Sequence, residues 1–512
     1  MQIKKTAIIS IITLFFSTLS YGQNLSFTIN NLGDTTVHMI RYLGEKMYYA
    51  DTAEVKGGVV KFDGSKHETG MYALFLPGQK MLDFVHVQED IDFRIEDKDR
   101  MAQTLTIKKS KMNMQFYKYV DFMIGQTKKR LPQIDRETAS DAEKKAYDEK
   151  NKKITEDIVA FQKEMVAANK GNFVGDLINI SVDIIIPDAP VDENGEAINP
   201  DWKYYYFIEH YWDNVNLKSN AIVRTPTFHK KLENYMSKNV LLQIPDTLIK
   251  YADKLIEKTL DSSLVFQYVV TQITSKAGKS DLMGMENVYV HMIEKYYDNN
   301  GKTRAFWMSE DGLKKLIEEA YKLKGTLIGD TAPRLILPDS TEKNWIDFYK
   351  IDAEYKVLYF WEATCGHCKK STPKLQKLYA EKLKERNVEV YAIGKAMDEN
   401  FELWKNFIID NNLTFTNVGL TKSVYEQVKK DPYELLRQKV TTVESINYQT
   451  TYNVYSTPRI YVLDKDNVIL YKRISIAQLE DILDKLQGVP EAEKLYPIEE
   501  EDPEERESAT TK

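Results

Sequence analysis

Cys365 and Cys368 are the only cysteines among 512 residues, and two residues separate them. Just before them runs Tyr355-Lys356-Val357-Leu358-Tyr359-Phe360-Trp361, a short aromatic and β-branched stretch that reads as a buried strand. Just after them Leu375, Leu378, Tyr379 and Leu383 recur at helical spacing. The pair is therefore expected where a central strand ends and a helix begins. A helix start offers unpaired N–H groups and the positive end of the macrodipole. Both favour a thiolate, the nucleophilic form of cysteine. A second thiol one turn further on can resolve a mixed disulfide.

Other uses of such a pair fit less well. Zinc needs four ligands, and neither another cysteine nor a histidine pair stands at ligand spacing. Covalent haem attachment needs a histidine directly after the second cysteine, where this chain has Lys369. A structural staple closing so short a loop would remove little unfolded-state entropy. The pattern points to redox chemistry, with no metal and no cofactor expected.

The first residues carry a second signal. Lys4 and Lys5 precede the apolar run Ala7–Phe16, and Ser20-Tyr21-Gly22 precede Gln23. That is the layout of a signal peptide over residues 1–22, cleaved after Gly22. The apolar run is short for a membrane span. No cysteine lies near the cleavage site for lipid attachment. The mature chain is expected to be exported, soluble and periplasmic. A net charge of −7 with no basic stripe argues against nucleic-acid binding.

Residues 23–108 read as β-rich. Short strand-like runs such as Leu25–Ile29, Val59–Phe62, Met71–Leu76, Phe84–Val87 and Ile91–Ile95 alternate with turn signals at Gly57-Gly58 and Pro77-Gly78. A small β-sandwich is expected. Residues 109–324 read as an all-α domain. Ile154, Ile158, Phe161 and Met165 share one helical face, and Asp246 opens another helix after Pro245. The aromatic run from Trp202 to Trp212 invites a binding-site reading. However, Tyr204, Phe207 and Tyr211 fall at helical spacing, which packing explains, so they are expected in the core. His210 and His229 read as structural. Residues 325–490 alternate strands and helices and close with a hairpin around Lys465-Asp466-Asn467, giving a mixed α/β sheet with helices on both faces. Residues 491–512 read as an acidic, disordered tail.

Four features of this last domain together resemble thioredoxin: Gly329-Asp330-Thr331-Ala332-Pro333, Phe360-Trp361, Cys365-Gly366-His367-Cys368, and Ser456-Thr457-Pro458 leading into a strand that ends at Asp464. The match is closest to exported thioredoxin-like thiol–disulfide oxidoreductases, on the branch shared with peroxiredoxins. The two leading domains resemble domains of unknown function that precede such thioredoxin domains in exported proteins of certain Gram-negative bacteria. The resemblance implies that Cys365 attacks and Cys368 resolves, with His367, Gly366 and Trp361 in support. It also implies that Thr457-Pro458 is a cis-proline loop facing the cysteines and offering backbone to an extended client. Pro373 is expected inside the active-site helix.

Two positions depart from that pattern. The acidic residue that thioredoxin buries six positions before its first cysteine is Tyr359 here, and the tryptophan usual just before that cysteine is Thr364. Water, Glu362 or Lys369 is left to carry the proton of Cys368. The expected activity is reduction or isomerisation of disulfides in exported client proteins, fed by a membrane electron donor. A peroxidase is disfavoured, because the Pro-x-x-x-Thr-x-x-Cys loop of peroxiredoxins is replaced by Thr364 abutting Cys365. The alternative is a binding or scaffold protein whose redox domain is regulatory.

Overall fold

The computed structural model describes residues 23–512 apart from 131, 134, 136, 137, 398, 490–492, 505 and 507–512. The expected signal peptide lies outside the described residues. Contacts divide the chain into two compact units.

The first unit runs to Val240 and includes Lys258–Val265. It opens with eight strands: β1 (Asn24–Ile29), β2 (Thr36–Leu43), β3 (Lys46–Glu54), β4 (Val59–Asp63), β5 (Gly70–Leu76), β6 (Lys80–His86), β7 (Ile91–Ile95) and β8 (Leu105–Lys109). They form two four-stranded sheets, ordered β4-β1-β7-β8 and β3-β2-β5-β6. The expected sandwich is present, and Phe27, Phe84 and Phe93 fill the space between its sheets. The helices of this unit are α1 (Lys111–Lys129), α2 (Asp141–Ala168), α3 (Phe173–Asn179), α4 (Trp202–His210) and α5 (Pro226–Tyr235).

Helices α1–α3 cover the outer face of the second sheet. Phe116, Met165, Val174 and Ile178 pack on Ile40, Ala73 and Val85. The Asn113 amide of α1 pairs with Val85 of β6, accepting from its N–H at 2.9 Å and donating to its carbonyl at 2.8 Å. A sheet covered on both faces needs apolar residues on both, and β5 is buried along almost its whole length. In the aromatic run Ile208, Tyr211 and Trp212 are buried, while Tyr204 and Phe207 are half-buried and Tyr205 is exposed. His210 bonds Asp213 at 2.6 Å, and buried His229 lies 3.5 Å from Glu45.

The second unit holds α6 (Pro245–Glu257), α7 (Leu264–Lys279, from Phe266), α8 (Met285–Met292) and α9 (Glu310–Leu323), followed by the α/β domain. The helical segment expected as one domain is thus divided. The reason is where its apolar faces and charges find partners. Buried Glu286 of α8 is ion-paired with Lys472 and Arg473 at the end of the α/β sheet, and Asn287 donates to the Ile328 carbonyl at 2.8 Å.

The α/β domain begins with the hairpin β9 (Ile336–Pro338) and β10 (Trp345–Asp347). A five-stranded sheet follows, from β11 (Tyr355–Trp361), β12 (Val388–Gly394), β13 (Thr416–Gly419), β14 (Arg459–Asp464) and β15 (Ile469–Lys472). Its order is β13-β12-β11-β14-β15; β11 is central, parallel to β12 and antiparallel to β14. Helices α10 (Gly366–Leu378), α11 (Asn400–Asp410), α12 (Lys422–Lys430), the short α13 (Glu434–Arg437), α14 (Val443–Ile446) and α15 (Tyr448–Thr451), and α16 (Ile476–Leu486) flank it. Val357, Tyr359 and Trp361 of β11 face the core under α10, α11 and α16, while Leu358 and Phe360 face the opposite one. The sheet with helices on both faces is as expected.

The expected disordered tail is corrected in part. Leu495 and Tyr496 pack against the core beneath α10 and α16. Their amides both donate to the Glu480 carboxylate at 2.9 Å, and Lys494 bonds Asp484 at 2.6 Å. Glu480 and Asp484 of α16 are fully buried. Buried carboxylates need charge and hydrogen-bond partners. Lys382, Arg386 and the returning segment supply them.

Candidate active site

The strand β11 ends at Trp361, and four residues later α10 begins with Cys365 as its N-cap. Gly366 and His367 are the first two helical residues, and Cys368 is one turn in. Cys365 is half-buried, whereas Cys368 is fully buried. The two are free thiols.

The sulfur environments differ sharply. Hydrogen bonding from the Cys368 thiol is the largest influence on Cys365. The Cys368 amide, the Thr457 side chain and the His367 amide add to it, against a desolvation cost. Together they lower the Cys365 thiol from 9.0 to about 5. These amides are the unpaired donors of a helix start. His367 therefore acts on the sulfur through its backbone N–H. Donating to Cys365 pushes the Cys368 thiol far up, and burial adds to that. One thiol is poised as a thiolate and the other is held protonated.

The second wall comes from the segment before β14. The Thr457–Pro458 bond is cis, and Cys365 Sγ donates to the Thr457 carbonyl at 3.3 Å. Trp361 is buried in the same apolar cluster as Cys368, its ring 5.2 Å from Phe407. Gly366 has open space where a Cβ would stand, so no close approach requires the glycine. Every site residue expected from the sequence thus falls at one end of the sheet, around β11, α10 and the start of β14.

Tyr359 lies fully buried in the cluster that holds Cys368, and its hydroxyl bonds Ser371 at 3.1 Å and Thr372 at 2.9 Å. Burial pushes the phenol well above the usual tyrosine range and holds it protonated. Glu362 accepts from Thr364 at 2.7 Å and lies 3.5 Å from Lys395. Lys369 is exposed.

Sequence reasoning missed Arg459. It sits in β14 opposite Phe360, is buried, and donates to the Pro458 carbonyl at 3.2 Å and to the Ser456 hydroxyl. It fastens the cis-proline loop from below. A charged residue opening an otherwise apolar strand was the available signal. Gly394 was missed too. A Cβ there would stand 1.9 Å from Trp404 Nε1, so the glycine admits the buried indole beside the end of β11.

Central parallel strands, a helix-capping dithiol and a facing cis-proline loop define a thioredoxin-like domain of the thiol–disulfide oxidoreductase class. Residues 328–472 match the AhpC/TSA family, and that segment carries a domain of this family. Residues 139–306 match the domain of unknown function DUF5106, and residues 24–116 match DUF4369. Among solved structures, a domain of possible thiol-disulfide isomerase from Cytophaga hutchinsonii is 30% identical. The match covers 33% of this chain and 97% of that one, with a TM-score of 0.25. A thioredoxin-like protein from Bacteroides caccae is 17% identical over 59% of this chain and 97% of that one, with a TM-score of 0.40. The thioredoxin domain of a thiol-disulfide oxidoreductase from Bacteroides vulgatus is 24% identical over 31% and 96%, with a TM-score of 0.24. No curated protein matches the chain.

Proposed function

We propose that this chain is an exported thiol–disulfide oxidoreductase that reduces or isomerises disulfides of exported client proteins. One observation carries the reading: the half-buried Cys365 caps the start of α10 with its sulfur 3.3 Å from the Thr457 carbonyl, and the buried Cys368 one turn in donates to it, which lowers the first thiol and raises the second. Such a pair divides attack from resolution.

The Cys365 thiolate attacks one sulfur of the client disulfide. The client S–S bond breaks, a Cys365–client bond forms, and the departing client thiolate takes a proton from solvent. Cys368 then gives up its proton and attacks Cys365 Sγ. The client's second sulfur leaves as a thiol, and the chain is left with a Cys365–Cys368 disulfide. Two electrons have passed to the client, and an external dithiol, such as a membrane electron donor, restores the pair. The backbone of Thr457, whose carbonyl lies 3.3 Å from the sulfur, suits an extended client segment.

The test is turnover of a disulfide-bonded model protein by the reduced full chain, with the reduction potential of the couple measured alongside. A low potential assigns reduction, and a higher one assigns isomerisation. Turnover that persists in Cys365→Ser would refute the reading.

A further inference from the structure

Arg459 opens β14 opposite Phe360 and is only 5% exposed. Its guanidinium turns back along its own chain. Nη1 donates to the Pro458 carbonyl at 3.2 Å, and Nη2 donates to the Ser456 hydroxyl. These acceptors stand on either side of Thr457. One side chain therefore holds the chain immediately before and immediately after the residue that faces the dithiol. Thr457 meets that dithiol in two ways. Its carbonyl accepts from Cys365 Sγ at 3.3 Å, and its side chain favours the thiolate at both Cys365 and Cys368.

A buried cation loses its hydration and needs its donors met. Burial works against the Arg459 charge and Arg473 adds to that, while Tyr461 and Cys368 oppose both. Arg473 is itself paired with Glu286 at 2.6 Å. Tyr455 and Ser456 are exposed, so packing from the solvent side does not fix the bend that precedes Thr457. The guanidinium supplies what packing does not. Its donors are set in a rigid planar fork that can meet two acceptors at once, which the single ammonium of a lysine does not reproduce.

We propose that Arg459 is a positioning residue of the thiol–disulfide reaction: it clamps the chain on both sides of Thr457 and so holds that residue's carbonyl and hydroxyl against the sulfurs. Without the clamp, Thr457 leaves both sulfurs together. The Cys365 thiolate loses a donor, and the backbone edge offered to a client loses its place. Arg459 acts on the reaction through Thr457. The effect on clients rests on the oxidoreductase reading above, whereas the effect on the Cys365 sulfur does not.

The experiment compares the reduced full chain with Arg459→Lys and Ser456→Ala, each checked for folding by far-ultraviolet circular dichroism. Arg459→Lys keeps the charge and loses the fork. Ser456→Ala removes one acceptor at an exposed position, so it reports on the clamp even if the buried lysine unfolds the chain. The first readout is the midpoint of Cys365 labelling by iodoacetamide. It is expected to rise by about one pH unit in Arg459→Lys and by about half a unit in Ser456→Ala. The second is kcat/KM at mildly alkaline pH, where Cys365 is a thiolate in every chain. Insulin, which offers an extended backbone, is expected to be reduced about tenfold more slowly by Arg459→Lys. Bis(2-hydroxyethyl) disulfide, which has no backbone to pair, should be reduced at close to the original rate. An unmoved midpoint in either folded variant would overturn the clamp, and so would equal losses on the two substrates. If the original chain reduces neither substrate while the midpoint still moves in the variants, the oxidoreductase reading fails and the clamp on the sulfur stands.

Discussion

The Cys365 sulfur lies 3.3 Å from the carbonyl oxygen of Thr457, a residue 92 positions further along the chain. Two segments that share no local sequence therefore make one reactive surface. The helix start supplies donors to the sulfur, and the loop supplies a backbone edge beside it. The consequences are measurable at the sulfur first.

Alkylation of the reduced chain by iodoacetamide is expected to rise through a midpoint near pH 5, far below the ordinary thiol value of 9.0. Cys368 should remain unlabelled at neutral pH, because its thiol is pushed up. The linkage sign follows from a depressed folded-state value. The thiolate's contribution to stability is complete above the unfolded thiol's value and disappears as pH falls through about 5. Peptide mass spectrometry after labelling across a pH series, with denaturation of the reduced chain at each pH, checks both. Replacing Cys368 with alanine removes the largest donor and should move the Cys365 midpoint upward.

Cys368→Ser should accumulate mixed disulfides with client proteins, because attack proceeds and resolution does not. Cys365→Ser should accumulate none, since Cys368 is buried and its thiol is held protonated. Non-reducing gels of cell extracts expressing each variant distinguish them. Comparable trapping by both would contradict the assigned roles.

Tyr359→Phe is expected to lose about 1–3 kcal/mol of stability, because two buried hydroxyls lose their shared partner. Turnover should persist, since burial keeps the phenol protonated and unable to accept the Cys368 proton. Urea denaturation and client turnover, measured on the same preparation, test the pair of statements.

Gly394→Ala is expected to cost about 1–3 kcal/mol or more, the range for overpacking a tight core. The new methyl would stand 1.9 Å from the fully buried Trp404 indole, which must move. Near-ultraviolet circular dichroism, sensitive to packed tryptophan, should change together with the denaturation midpoint.

Ending the chain after Gly488 is expected to destabilise the second unit by about 1–3 kcal/mol. It strips Lys494 and the amides of Leu495 and Tyr496 from Glu480 and Asp484, which keep only Lys382 and Arg386 as their charged partners among the described residues. Thermal unfolding of the shortened chain measures this.

The redox site was legible because its signals are local. A strand, two cysteines and a helix start are contiguous, and Thr457-Pro458 is a dipeptide with its own meaning. Arg459 and Gly394 were not legible, because each acts on a neighbour from another segment. Strand β2 escaped for a different reason. Met39 and Ile40 are both buried across a register shift, so the alternation that marks a half-exposed strand breaks there. The tail misled by composition. Its acids suggested disorder, while Lys494, Leu495 and Tyr496 decide where it lies. The division of the helical segment depends on Glu286, an unremarkable glutamate until its partners Lys472 and Arg473 are known.

That ion triad has a further consequence for how the molecule comes apart. Lys472 and Glu286 are each buried, and each neutralises the other. A chain begun at Ile328, where the family match starts, would leave Lys472 without its carboxylate and Asn287 absent from the Ile328 carbonyl. The helices α6–α9 and the redox sheet should therefore melt as a single cooperative body. Calorimetry of the whole chain is expected to resolve two transitions rather than three. Hydrogen exchange should protect α8 as long as it protects β15, so that the helices and the disulfide chemistry are lost in the same step.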